Sequence, residues 1–172
     1  MPTILSHPAA ALLRTWFPRL PGRVVAAGVI GSVLPDADVI GFAYRVPYGS
    51  LFGHRGFTHS IFFAAVASLL LTLIMRPPRF LPALAFIFFC TMSHGVLDAM
   101  TSGGMGIAFF SPFSNRRYFF PWTPIRVSPI GRLSLRVLLS ELRWVWLPFA
   151  FAALLPVGKH LAHRNGEPGE EG

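Results

Sequence analysis

Apolar stretches broken by short polar interruptions dominate the chain. Four stand out: residues 24 to about 44, Ser60 to Met75, Phe80 to Met100, and Trp144 to Gly158. Runs of this kind predict helices, and at 1.5 Å per residue about 20 residues cross a hydrocarbon core of about 30 Å. The second run is a little short, which calls for tilt, local thinning of the bilayer or shelter by neighbouring helices. Pro35, Asp36 and Asp38 interrupt the first. Arg76-Pro77-Pro78-Arg79 predicts a tight turn, so the second and third runs form a helical hairpin. Ile4 to Phe17 predicts a short helix with an apolar side, opening after Ser6 and ending near Pro18, too short to span. Leu133 to Trp146 reads as an amphipathic helix with Arg132, Arg136 and Arg143 on or near one side. Thr101 to Ser128, rich in Gly, Pro, Ser and aromatics, reads as a long ordered surface loop. The expected fold is all-α: a polytopic membrane helical bundle with about four membrane-embedded segments plus a short N-terminal helix. Residues 1–165 are expected to form one domain, and 166–172 a disordered acidic tail.

Composition strengthens the membrane reading. Hydrophobic residues make up 53% and charged residues 13%, with a mean hydropathy of +0.55 and 17 phenylalanines; a soluble chain carries roughly 25% charged residues. The net charge of +8 raises the question of nucleic acid. The basic residues are almost all arginines, scattered in ones and twos between apolar runs, which suits lipid phosphates better than a nucleic-acid stripe. Cys90 is the single cysteine, so an internal disulfide or a cysteine-rich zinc site is excluded. Pro8, Arg14, Pro18 and Arg19 break any signal-peptide core near the start.

The distribution of acids carries the functional expectation. Of seven acidic residues, three lie in the tail, leaving Asp36, Asp38, Asp98 and Glu141. The three aspartates fall inside or at the ends of apolar runs, where a carboxylate costs roughly 2.5 to 3.5 kcal/mol on insertion scales. His94 and Asp98 are four apart on one predicted helix and share a face. His54 and His59 precede the second run, with Gly56 permitting a turn and Thr58 placed to cap the helix. Asp36 and Asp38 follow a proline and would diverge on a continuous helix, so they belong on irregular backbone lining an enclosed cavity. If the first run spans, its far end carries Asp36 and Asp38, the second begins at that face with His54 and His59, and the third returns there with His94 and Asp98. Taken singly, Asp38 can be a cap, His54 a loop histidine, and His94 with Asp98 a hydrogen-bonded pair; their convergence favours a metal site. His160 and His163, beside Lys159 and Arg164, read as a membrane flank.

Three segments carry a resemblance: Leu34-Pro-Asp-Ala-Asp38, His54-Arg-Gly-Phe-Thr-His-Ser60, and Ser93-His-Gly-Val-Leu-Asp98 followed by Thr101. In this order they resemble the YdjM-like family of inner-membrane metal-dependent hydrolases, also labelled LexA-binding, over roughly residues 3 to 125. The resemblance implies the bacterial inner (cytoplasmic) membrane, a phosphoester hydrolase activity, and a distant similarity to the zinc phospholipase C and P1 nuclease group. It also implies a ligand near the start of the chain, for which His7 is the candidate. If the first run spans, simple counting puts His7 on the face opposite the others, so that either the run half-spans around Pro35, or the N-terminal helix dips in, or His7 is no ligand.

The expected metal set is His7, Asp36, Asp38, His54, His59, His94 and Asp98, holding one to three divalent ions, zinc by its imidazole share and manganese as the alternative. Asp36, His59 and Glu141 are the candidate catalytic groups; Glu141 can equally pair with an arginine such as Arg143. Arg55, Arg116 and Arg117 are candidates for gripping a phosphate, against lipid-headgroup anchoring. The rival function is a non-catalytic metal-binding membrane protein, a transporter or an interaction module. Arginines at both ends of the bundle leave its orientation open.

Overall fold

In a computed structural model, residues 2–17, 19–128 and 134–165 are described, with side chains to residue 156. The expected tail, Leu133, Arg132 and the side chains of Lys159, His160 and His163 lie outside them. A 3-10 helix, His7–Trp16, comes first, with Pro8 in its first turn. α1 (Gly22–Val33) runs directly into a 3-10 turn, Leu34–Val39, and a short α2 (Ile40–Ala43). α3 (Ile61–Met75) and α4 (Phe80–Ala99) form the expected hairpin, closed by Arg76 in the left-handed region at φ 45°. After a long loop come α5 (Leu135–Glu141), a π turn at Leu142–Trp146 and α6 (Leu147–Asn165). The amphipathic segment and the last apolar run are therefore one continuous helix. Among the described residues there is no strand, only the isolated bridges Thr101–Ile125 and Ile107–Tyr118.

Among the described residues three helices are long and apolar enough to cross a membrane, Gly22–Ala43, Phe80–Ala99 and Leu135–Pro156, and Ile61–Met75 is a shorter apolar helix. α3 shows what solvent they fit. Its inward face is small or polar, Ala64, Ala67, Ser68 and Thr72, whereas Leu69, Leu70, Leu73 and Ile74 point outward. A helix in water does the reverse; small residues inside and large apolar ones outside is membrane packing. The helix starts where Ser60 Oγ accepts the Phe63 N–H at 3.0 Å. Ser60, not Thr58, is the cap.

α1 and α4 make the closest approach. A Cβ on Gly31 would stand 2.4 Å from Thr91 Oγ1, and one on Gly28 2.6 Å from a Phe86 ring carbon. Only bare backbone fits there, and the closeness brings the end of α1 against the second half of α4. Around them pack Val24, Ala27, Ile87 and Cys90.

The ends of the bundle are distinguishable. Arg23 donates to the carbonyls of Met75 and Arg76, so the start of α1 sits beside the α3–α4 turn. The end of α1, the start of α3 and the end of α4 then gather at the other face. The N-terminal helix runs antiparallel to α1: Thr15 and Trp16 donate to the Ala153 and Ala152 carbonyls of α6 near the turn end, while Thr3 and Ser6 reach Glu141 at the other. A ten-residue 3-10 helix is about 20 Å long, matching about 18 Å for the twelve residues of α1. His7 therefore begins on the same face as Asp36, and the placement by counting spans is overturned.

Candidate metal centre

Each arm of the site is positioned by a local cause. Pro35 tightens the end of α1 into a 3-10 turn, and on that turn Asp36 and Asp38 both face the bundle instead of diverging. The segment before α3 is drawn in by Gly95, where a Cβ would lie 2.9 Å from the His59 carbonyl. His94 projects from α4 and is locked by the Ser32 carbonyl, 2.7 Å from its Nδ1. That contact assigns the proton to Nδ1 and leaves the Nε2 lone pair facing the cluster.

Asp36 is the hub. Its Oδ1 lies 3.3 Å from His94 Nε2 and 3.7 Å from His59 Nε2, and its Oδ2 lies 4.0 Å from His7 Nε2. His59 Nε2 is 3.1 Å from His94 Nε2 and 3.6 Å from Asp98 Oδ2. Asp36, His59, His94 and Asp98 each offer a ligand atom, all within 4.8 Å of one another; Asp38, His54 and His59 form a second such group sharing His59. His7, His54, His59, His94, Asp36 and Asp98 are all buried.

Chemistry separates the two aspartates of the 3-10 turn. Asp38 is satisfied: it lies 2.6 Å from His54 Nδ1 and accepts from Thr58 Oγ1 at 2.7 Å and the Arg55 N–H at 3.2 Å, with His59 Nδ1 3.3 Å away. A carboxylate so engaged orients two imidazoles. Asp36 is the opposite case. Both its oxygens, Asp98 Oδ1 and both nitrogens of His7 are buried without a hydrogen-bond partner among the described residues, and Asp98 Oδ2 meets the Arg55 guanidinium. Buried polar atoms are nearly always paired, and such orphans converging on two histidines fit a cation. Ligand atoms bound at 2.0–2.1 Å around a tetrahedral ion stand about 3.3 Å apart, the spacing of Asp36 Oδ1 from His94 Nε2 and close to that of the His59 and His94 Nε2 atoms.

Charge points the same way. Among the described residues the one guanidinium in an ion pair with Asp36, Asp38 or Asp98 is Arg55, whose Nε is 3.0 Å from Asp98 Oδ2. The cluster is left with negative charge for protons or a divalent ion to balance. Burial disfavours a proton on His59, yet Asp36, Asp38 and Asp98 around it raise its pKa to about 10. Burial and the neighbouring His94 push His7 down to about 3, so His7 is neutral and its ring nitrogens are free to ligate.

Six of the seven expected metal residues thus converge on two overlapping groups or orient them, and the seventh, His7, stacks on His94. Glu141 does not join them. Its buried carboxylate accepts the Thr3 N–H, the Thr3 hydroxyl at 2.6 Å and the Ser6 hydroxyl at 2.6 Å, and the Arg143 guanidinium lies over Trp144 instead of pairing with it. Arg55 is 1% exposed and, besides Asp98, donates to Gly103 O and Thr101 Oγ1, so it does not face a surface. Arg117 is spread over the carbonyls of Tyr48, Ser50, His54 and Gly106, bracing the loop ahead of His59. Arg116 is the one of the three that is exposed. The sequence singled out Thr58 as a helix cap and not as a partner of Asp38, and it did not single out Ser32, since nothing in a sequence marks a backbone carbonyl.

Comparison with known proteins agrees with the membrane fold. Escherichia coli (strain K12) inner membrane protein YbcI is 41% identical over 160 residues, covering 86% of this chain and 92% of its own length. No solved structure matches, and the similarity to the P1 nuclease group is not supported by any match. The family model described as YdjM inner membrane protein matches residues 3–165. The chain, with its several apolar helices and its buried histidine–aspartate cluster, belongs to the YdjM inner membrane protein family and is a multi-pass inner membrane protein.

Proposed function

We propose that the protein is a membrane-bound metal-dependent hydrolase acting on a phosphoester, with a phospholipid or other lipid-like compound as substrate. The supporting observation is the set of orphaned buried atoms on Asp36, Asp98 and His7 beside the free Nε2 of His94. His7, Asp36, His59, His94 and Asp98 would hold a divalent ion, zinc by ligand type, with the His54–Asp38 pair as a candidate second position. When bound, such an ion supplies Lewis acidity that lowers the pKa of water toward neutrality and polarises a phosphoryl oxygen. His94 is held in one tautomer by Ser32 O, and Asp38 fixes the ring of His59. His59 would ligate through Nε2, which lies between Asp36 and Asp98, while its Nδ1 faces Asp38. The burial of the whole set keeps bulk water away and strengthens its electrostatics. Arg116, exposed on the loop, is the remaining arginine candidate for a substrate phosphate.

A second reading has one observation in its favour. His7, His94 and Asp98 are fully buried, which also suits a metal held for stability in a non-catalytic protein. The two separate in one experiment. Purified protein is stripped of metal, reloaded with zinc or manganese, and assayed on phosphatidylethanolamine–phosphatidylglycerol vesicles and on bis-p-nitrophenyl phosphate. Turnover that requires reloading and disappears in Asp36→Asn supports the hydrolase. Stoichiometric metal that raises the melting temperature without turnover on either substrate rejects it in favour of a structural metal.

A further inference from the structure

Outside the histidine–aspartate cluster, but on the same face, the α5–π turn helix and the loop ahead of it enclose a cleft of about 540 Å3 lined by Arg126, Arg136, Leu139, Ser140, Arg143 and Trp144. Its shared face follows from the Thr101–Ile125 bridge, which ties the loop residue before Arg126 to the chain three residues after Asp98. Arg136, Ser140 and Arg143 recur at i, i+4 and i+7, one side of the helix. Arg126 is brought across by its own N–H, which donates to Ser140 Oγ at 3.0 Å. The cleft is thus built from two segments pinned to each other.

Its charge is uncompensated. Three exposed arginines line it and no carboxylate does. Glu141, next to Ser140 in sequence, is turned away and held by Thr3 and Ser6. Among the described residues none of the three guanidiniums has an ion-pair partner; Arg143 only lies over the Trp144 ring, 5.0 Å from its centroid. Three like charges around one concavity repel unless an anion sits among them. Trp122 of the loop packs edge-on against Trp144 at 4.9 Å, a second contact holding the loop against the helix beside the cleft. Leu139, 55% exposed, supplies an apolar strip beside the charges. Arg143 lies in the π turn, a distortion that recurs at binding sites.

We propose that this cleft is a phosphate-binding site, gripped by the forks of Arg126, Arg136 and Arg143, taking either the phosphodiester of an anionic lipid headgroup or a free phosphate. It shares no lining residue with the metal cluster and does not depend on the hydrolase reading. Trp144 in its wall makes tryptophan fluorescence the readout. Full-length protein in a maltoside detergent is titrated with dihexanoyl phosphatidylglycerol and, separately, with inorganic phosphate at constant ionic strength. The expected result is a saturable signal that weakens at least about tenfold in an Arg136→Gln, Arg143→Gln variant and in Arg126→Gln, each removing charge-assisted bonds. A response to the lipid alone assigns a headgroup as occupant; equal responses to both assign phosphate itself. No saturable response to either, or variants of unchanged melting temperature that respond like wild type, overturns the proposal.

Discussion

The ring of His7 lies stacked on that of His94, centroids 3.7 Å apart and planes 13° from parallel. Two histidines 87 positions apart in the sequence are thereby held as neighbours, one carried by the N-terminal 3-10 helix and the other by α4. The stack makes the N-terminal helix part of the site and not an appendage of the bundle.

His7→Ala should therefore weaken divalent-metal binding by about tenfold or more, roughly 1.4 kcal/mol. No hydrogen bond is lost with the ring, because neither nitrogen has a hydrogen-bond partner among the described residues. Competition with a fluorescent zinc chelator measures the affinity; an unchanged value would remove His7 from the ligand set.

Glu141 acts on His7 from a distance by anchoring Thr3 and Ser6. Glu141→Gln places an amide where two hydroxyls and an N–H donate, and should destabilise the N-terminal segment by about 1 to 3 kcal/mol. Hydrogen exchange over residues 2–12 should rise. Metal affinity should fall in Glu141→Gln but not fall further when His7→Ala is added, since both act through one ligand. Additive losses would show that Glu141 contributes by another route.

Arg55 balances Asp98 inside the protein at 3.0 Å. Arg55→Gln leaves a buried carboxylate without its countercharge, at a cost of about 3 to 5 kcal/mol. Divalent metal should restore part of that loss, giving a larger zinc-induced rise in melting temperature in the variant than in wild type. A smaller rise would argue that Arg55 is itself required to shape the site.

Gly31→Ala tests how the site is positioned. The added Cβ meets Thr91 Oγ1, and separating α1 from α4 should cost about 1 to 3 kcal/mol. It should also draw the Ser32 carbonyl off His94. Thr91→Ala in the same chain should recover most of the stability in a detergent melt; no recovery would place the strain elsewhere.

What the sequence made legible follows from local chemistry. The hairpin was readable from Arg76-Pro77-Pro78-Arg79, and once it was placed, chain reversal alone brought the Asp36, His54–His59 and His94–Asp98 segments to one face. His7 was in the expected metal set, but counting placed it on the opposite face because the N-terminal helix read as too short to span; the 3-10 rise lets ten residues match the length of α1. Glu141 was unreadable for another reason. Its partners are 135 and 138 positions away, and no spacing rule reaches that far. Arg55 and Arg117 looked like substrate contacts because arginine's charge is visible in a sequence and its burial is not. Asp38 and Asp36 stood side by side in the expected metal set, and only the geometry separates an aspartate that orients histidines from one whose oxygens have no hydrogen-bond partner among the described residues.

The most direct measurement is the metal content of the full-length, detergent-purified protein, set beside an Asp36→Asn, His94→Ala variant. Elemental analysis of wild type should find close to one zinc or manganese per chain, or more if the His54–Asp38 position also fills. The variant should lose the metal while keeping its helical circular dichroism. Should the variant fail to fold, the wild-type protein still decides: chelation should lower its melting temperature and zinc or manganese should restore it. A metal-free wild type whose melting temperature does not move when either ion is offered would contradict the metal centre and recast the cluster as a buried polar network.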